Sequence, residues 1–176
     1  MSHPDKHATF TPLRIAVVTV SDTRTQETDK SGNYLVECVN GAGHILVDKR
    51  IVKDDTYKLR AVVATHIADD AVQVVLLTGG TGFTFRDNTV TAITPLLDMH
   101  IEGFGELFRA LSHDEIGCST IQSRAFAGLA NGTAVFCLPG SPGACRTGWE
   151  GIIAQQLDSR HKPCNFVDKL KKSAGE

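Results

Sequence analysis

The chain has 176 residues, 41% of them hydrophobic, with 18 Lys and Arg against 20 Asp and Glu, a formal charge of −2. That length and apolar share suit one globular domain with a full core, and the charge balance excludes the basic field of a nucleic-acid binder. No apolar run approaches the ~18 residues of a membrane span, and the first twelve residues lack the apolar core of a signal peptide.

Leu13 to Val20 (LRIAVVTV) is a near-continuous, β-branched apolar run, as expected of a strand covered on both faces. Thr28 to Ala42 carries Tyr34, Leu35, Cys38, Val39 and Ala42 on a helical stripe, with Ser31 as a plausible cap and Gly41 and Gly43 closing it. His44 to Val52 alternates like a second strand. Asp54 to Ile67 follows as a helix with Leu59, Val62, Val63 and Ile67 inward. Val72 to Thr78 (VQVVLLT) is a third strand, apolar throughout. Helical patterns come next at Thr89 to Asp98, where Pro95 should kink or restart the helix, and at Phe104 to Leu111.

Asn131-Gly132, between GLA and TAVFCL, has the residues of a tight hairpin turn. Ser141-Pro142 then opens a last helix, Ser as N-cap and Pro at the first helical position, with a core stripe of Cys145, Trp149, Ile152, Ile153 and Leu157. Short apolar strands alternating with helices predict a three-layer α/β/α sandwich, its sheet mostly parallel with one antiparallel strand from the hairpin. No repeat or linker is visible, so residues 1–176 should form a single domain, its core at about 13–166 and its termini flexible. The Lys-rich stretch Lys169 to Lys172 should be a solvated part of that terminus.

Five cysteines (Cys38, Cys118, Cys137, Cys145, Cys164) are scattered, odd in number and without a CxxC pair. They suit reduced thiols in the cytoplasm, and no structural zinc site is expected.

In a parallel sheet, ligands bind beyond the carboxyl ends of the strands. Three such ends carry distinctive turns: Ser21-Asp22, Thr78-Gly79-Gly80-Thr81-Gly82, and Pro139-Gly140-Ser141-Pro142. Glycines allow positive φ and let backbone N–H groups approach an anion, so the GGTG loop reads either as a phosphate cradle or as a tight strand-to-helix turn. It lacks the Lys-Ser/Thr of a Walker A loop and the GxGxxG spacing of a dinucleotide fold. Asp87 reads either as a helix cap, with Asn88 and Thr89 competing, or as a ligand of Mg²⁺ bound with substrate phosphates; Asp54 and Asp55 carry the same ambiguity. Together they put acids on the glycine loop's edge of the sheet, which suggests magnesium and a nucleotide. Phe104 reads as core, with Glu102 and Glu106 as a solvated first turn. Arg86 and Arg124 read either as solvated charges or as partners of an anionic ligand.

TGGTGFTFRD (Thr78 to Asp87), IEGFGELFR (Ile101 to Arg109), Ser123-Arg124 and LPGSP (Leu138 to Pro142) together resemble the MogA/MoaB family of molybdenum-cofactor biosynthesis, from about Leu13 to Phe166. Ala144 to Phe166 resembles the MoaB branch. The resemblance implies homo-oligomers, trimers or hexamers, and binding of molybdopterin and Mg²⁺ with ATP or GTP. It further implies adenylylation of the molybdopterin phosphate, or else a non-catalytic carrier in the same pathway. By position it assigns Asp54 and Asp87 as catalytic acids that hold Mg²⁺, although Lys53 stands where adenylylating members commonly have proline. It assigns Ser21, Asp22, Thr78, Gly79, Gly80, Thr81, Gly82, Gly140 and Ser141 to molybdopterin and phosphate, with Arg86, Glu102 and Arg124 as further candidates.

Overall fold

A computed structural model of the chain describes residues 9–172. Strands β1 (Arg14–Val20), β2 (Ile45–Val52), β3 (Val74–Thr78), β4 (Met99–His100), β5 (Phe126–Ala130) and β6 (Thr133–Leu138) form one sheet in the order β2-β1-β3-β6-β5-β4. β2, β1, β3 and β6 run parallel; β5 is antiparallel to both β6 and β4 and is the single reversed strand. The helices are α1 (Lys30–Gly41), α2 (Thr56–Ala68), α3 (Thr89–Ile93), α4 (Glu102–Ile116) and α5 (Pro142–Gly148). α5 continues through a π-type turn at Trp149–Ile153 into Ala154–Gln156.

The chain steps from β1 outward to β2 and then back across β1 to β3. Right-handed crossovers in opposite directions require α1 and α2 on opposite faces of the sheet. Two separate cores show this: Leu35 and Val39 pack with Ile15, Val17, Leu76 and Phe136 on one face, whereas Leu59 and Val63 pack with Ala16, Val18, Val75 and Leu77 on the other. All five residues of β3 and all six of β6 are buried, which is why their sequences show no polar alternation. Burying each Leu or Phe contributes roughly 1.5–3 kcal/mol, so strands this short suffice. Phe104, Phe108 and Trp149 all belong to the first core. The hairpin turn has φ of 48° at Asn131 and 68° at Gly132, as the Asn-Gly pair predicts.

Several local expectations are corrected. Asp29, not Ser31, caps α1: its Oδ1 accepts the Gly32 amide, while the Ser31 hydroxyl donates to the Gly140 carbonyl. The helix expected over Thr89 to Asp98 ends at Ile93, and Pro95 restarts a 3₁₀ turn at Thr94–Leu96 before β4. α4 runs a turn beyond its apolar stripe. Lys169 to Lys172 is not a solvated tail: Leu170 is in the first core, the Lys171 amide donates to the Gly132 carbonyl, and its Nζ donates to the Ile67 carbonyl. At the other end Phe10 packs against His44 with the rings tilted and is covered by Arg160, so the packed region exceeds 13–166. Termini expected to be flexible at residues 1–8 and 173–176 lie outside the described residues.

Candidate functional site

β1 sends its connection one way along the sheet and β3 the other, so a crevice opens between their carboxyl ends. Thr19 pairs with Thr78 and Thr78 with Leu138, which brings the loops after β1, β3 and β6 to one level. The loop after β2 joins them through the Ser21 amide, which donates to the Val52 carbonyl.

The glycine loop is built on two positive-φ residues, Gly79 at 107° and Gly80 at 65°. A Cβ on Gly79 would strike the Val20 carbonyl oxygen, and one on Gly80 would strike the Thr89 hydroxyl and come 2.8 Å from Asp54 Oδ2. The loop is also a tight strand-to-helix turn: the Thr89 amide donates to the Gly80 carbonyl and its hydroxyl to the Gly79 carbonyl. Those bonds use carbonyls. Among the described residues the amides of Gly80 and Thr81 have no acceptor, so adjacent donors remain for an anion. The next loop is held at its base, where the Thr78 hydroxyl donates to the Pro139 carbonyl at 3.0 Å.

Both expected acids border the same cavity. Asp87 does not cap α3; its Oδ2 accepts from the Thr84 amide at 2.8 Å and the Thr84 hydroxyl at 2.7 Å. Partial burial alone would raise its carboxyl, but the Thr84 and Gly82 bonds and the Arg124 charge outweigh that and hold it below the usual range. Asp54 Oδ1 accepts the Asn88 amide at 2.9 Å, so the residue that leads into α3 is tied to the loop after β2. Asp55 is the true cap of α2, accepting the Tyr57 and Lys58 amides. Two carboxylates beside unpartnered amides are a donor set that fits Mg²⁺, which keeps waters and takes one or two carboxylates plus phosphate oxygens.

The cavity has a volume of about 610 Å³ and includes Gly79, Gly80, Thr81, Gly82, Gly140 and Ser141. Its opposite wall was not foreseen: Ser112 and Glu115 of α4, Ser119 and Gln122 of the following 3₁₀ turn (Gly117–Gln122), and Thr147 of α5. Thr147 donates its hydroxyl to Glu115 Oε1 at 3.0 Å. These residues sit on the polar side of amphipathic segments, where their spacing is that of any solvated helix face. Thr78 and Ser21 instead line a smaller hollow beside it, of about 330 Å³, and Asp22 lines a notch of about 360 Å³ on the other flank of Asp54.

The remaining candidates divide. Arg86 is ion-paired with Asp22, and each shifts the other toward its charged form. Arg124 braces the glycine loop: its guanidinium donates to the carbonyls of Thr81, Gly82 and Asp87 and lies over the Phe83 ring. Glu102 is outside the site and lines a second cavity, of about 560 Å³, with Glu106 and Arg109. Cys145, beneath Thr78, is buried, and its thiol is pushed up to about 11 by that burial, so it offers no thiolate nucleophile. All five cysteines are free. Among the described residues no helix is long and apolar enough to cross a membrane.

Residues 16–159 match the family model described as a probable molybdopterin binding domain. The chain is 58% identical over 163 residues to molybdenum cofactor biosynthesis protein B of Escherichia coli K12, covering 93% of this chain and 96% of that protein. A crystal structure of a molybdenum cofactor biosynthesis protein B superposes with a TM-score of 0.81 at 46% identity, covering 84% of this chain and 92% of that one. The tungsten cofactor synthesizing protein MoaB from Pyrococcus furiosus superposes with a TM-score of 0.72 at 38% identity, covering 82% and 92%.

Proposed function

The chain belongs to the MoaB/MogA family and has a role in molybdenum-cofactor biosynthesis, and we propose that it binds molybdopterin and a magnesium nucleotide and transfers AMP to the molybdopterin phosphate. The observation that carries this reading is the junction of a positive-φ glycine loop, with its two unpartnered amides, and two carboxylates on one cavity. A pterin phosphate oxygen attacks the α-phosphorus of ATP. A new P–O bond forms, the bond from the α-phosphorus to its bridging oxygen breaks, and pyrophosphate leaves with that oxygen. The nucleophile is already an anion, so no general base is required. The obstacle is repulsion between polyanions, which backbone donors aimed at the phosphates reduce. Asp54 and Asp87 would hold Mg²⁺, which when bound neutralises phosphate charge. The Thr84, Asn88 and Arg124 bonds keep the acids and the loop in place before substrate arrives.

One observation favours a second reading, a non-catalytic carrier of molybdopterin or nucleotide: both carboxylates already accept backbone bonds that organise their own loops. Pyrophosphate release from Mg-ATP, with and without molybdopterin, separates the two. Transfer predicts pterin-dependent release that Asp87→Asn lowers by about 100-fold or more while pterin affinity stays within about threefold, because an Asn oxygen can still accept from Thr84. Pterin binding without release in the wild type would leave the carrier.

The protein is also proposed to be a homo-oligomer, a trimer or hexamer. Supporting this, Met99, Leu107, Ile116 and Ile121 are exposed on β4, α4 and the turn after it, at 62, 46, 55 and 74%. A monomeric sedimentation profile at micromolar concentration would refute it.

A further inference from the structure

We propose that the charged notch on the far side of Asp54 is the subsite for the pyrophosphate portion of the nucleotide, held by Lys53 and Lys58. This deepens the transfer reading above and rests on it.

Six residues line the notch, and all are charged: Asp22, Lys53, Asp54, Asp55, Lys58 and Arg86. Four of them are accounted for internally. Arg86 pairs with Asp22, Asp55 caps α2, and Asp54 accepts the Asn88 amide. Lys53 and Lys58 have no ion pair or side-chain hydrogen bond among the described residues, although three carboxylates line the same notch. Lys58 is moreover in the first turn of α2, where the helix dipole favours acids, and that turn contains no acid. A cation placed against the local preference and left without a partner is what a site for a polyanion leaves behind.

Position supplies the rest. Asp54 borders both the notch and the 610 Å³ cavity, so it stands between the place where the α-phosphate would react and the place where two further phosphates would extend. Three carboxylates and three cations cancel within the notch. The ligand it suits is therefore magnesium pyrophosphate, or the β- and γ-phosphates of a magnesium nucleotide, rather than the free anion. Lys53 and Lys58 would then donate charge-assisted hydrogen bonds to the terminal oxygens.

Calorimetry with magnesium pyrophosphate on the full chain tests this, comparing the wild type, a Lys53→Met/Lys58→Met variant, and a Lys169→Met/Lys172→Met variant. The last pair carries the same charge change on exposed residues beside the segment tied to Gly132 and Ile67, at the opposite end of the strands. The notch pair should weaken binding by about tenfold or more, steeply dependent on salt, with AMP affinity within about twofold and the control pair like wild type. Equal losses in both pairs, no loss in the notch pair, or no wild-type binding at millimolar ligand would each overturn the proposal. Lysine-dependent pyrophosphate binding without pterin-dependent release would instead overturn adenylyl transfer and leave the subsite standing.

Discussion

Two cavities of similar size, about 610 and 560 Å³, share helix α4 and Ser123 yet differ in what their walls are made of. The larger lies where parallel strands end. Its floor is bare backbone at positive φ, with unpartnered amides and two half-buried acids brought from separate loops. The smaller lies at the antiparallel edge, lined by the start of α4 and by β5, and its two arginines serve the fold: Arg109 donates to the Ala125 carbonyl, and Arg124 reaches across to the glycine loop. Volume does not separate them. What separates them is a glycine backbone at positive φ, which only the lining of the first cavity contains.

The largest effect expected from this contrast is opposite in sign for two glycines. Gly79→Ala should lower stability by about 3 kcal/mol, combining a left-handed φ with a clash against the Val20 carbonyl. Gly103→Ala, in α4 near the second cavity with no atom within 4 Å of the added methyl, should raise it by about 0.5 kcal/mol. Urea unfolding midpoints compare the two, and a neutral Gly79→Ala would mean that the loop is not held as described. Next in size, Arg124→Met removes the brace from outside the larger cavity. It should weaken Mg-ATP binding by about tenfold, or 1.4 kcal/mol, and lower stability by about 1–3 kcal/mol, because three carbonyls lose a charged donor. An unchanged affinity would show that the brace does not hold the loop for ligand. Smallest is Glu102→Gln in the second cavity, expected to leave both ligand affinities within about twofold, since this exposed first-turn acid contributes only about 0.3–1 kcal/mol through the helix dipole. A tenfold loss there would make the second cavity part of the site.

Much of this was legible in the sequence because its carriers are local. Apolar runs announce strands covered on both sides, Asn131-Gly132 announces its turn, and Thr78 to Gly82 announces a backbone that must bend sharply. Most of the failures are non-local. Ser31 is of a residue type that caps helices, but its hydroxyl serves Gly140, 109 positions away. Arg124 cannot be told from a solvated arginine without knowing that residues 81–87 lie beneath it. Leu170 is a single apolar residue in a basic stretch, too little signal to reveal an anchored segment. The wall formed by Ser112, Glu115 and Gln122 has the spacing of any polar helix face, and only tertiary packing turns it toward a cavity. β4 is two residues long, below what any periodicity can register.

The wholly buried strands carry one more consequence. In a sheet with a wet face, sliding a strand by one residue exposes its apolar side and is forbidden for that reason. β3 and β6 have no wet face, so such a slip would exchange one set of apolar contacts for another. Alignment must therefore be written at the tips. Gln73 accepts from the Arg14 amide and the Thr133 hydroxyl donates to the Val72 carbonyl at one end; the Thr19 hydroxyl donates to Asp29 and the Thr78 hydroxyl to the Pro139 carbonyl at the other. The second pair of tethers is also the footing of the loops after β1 and β3. Misalignment would thus reveal itself as a deformed edge at the glycine loop before the interior noticed.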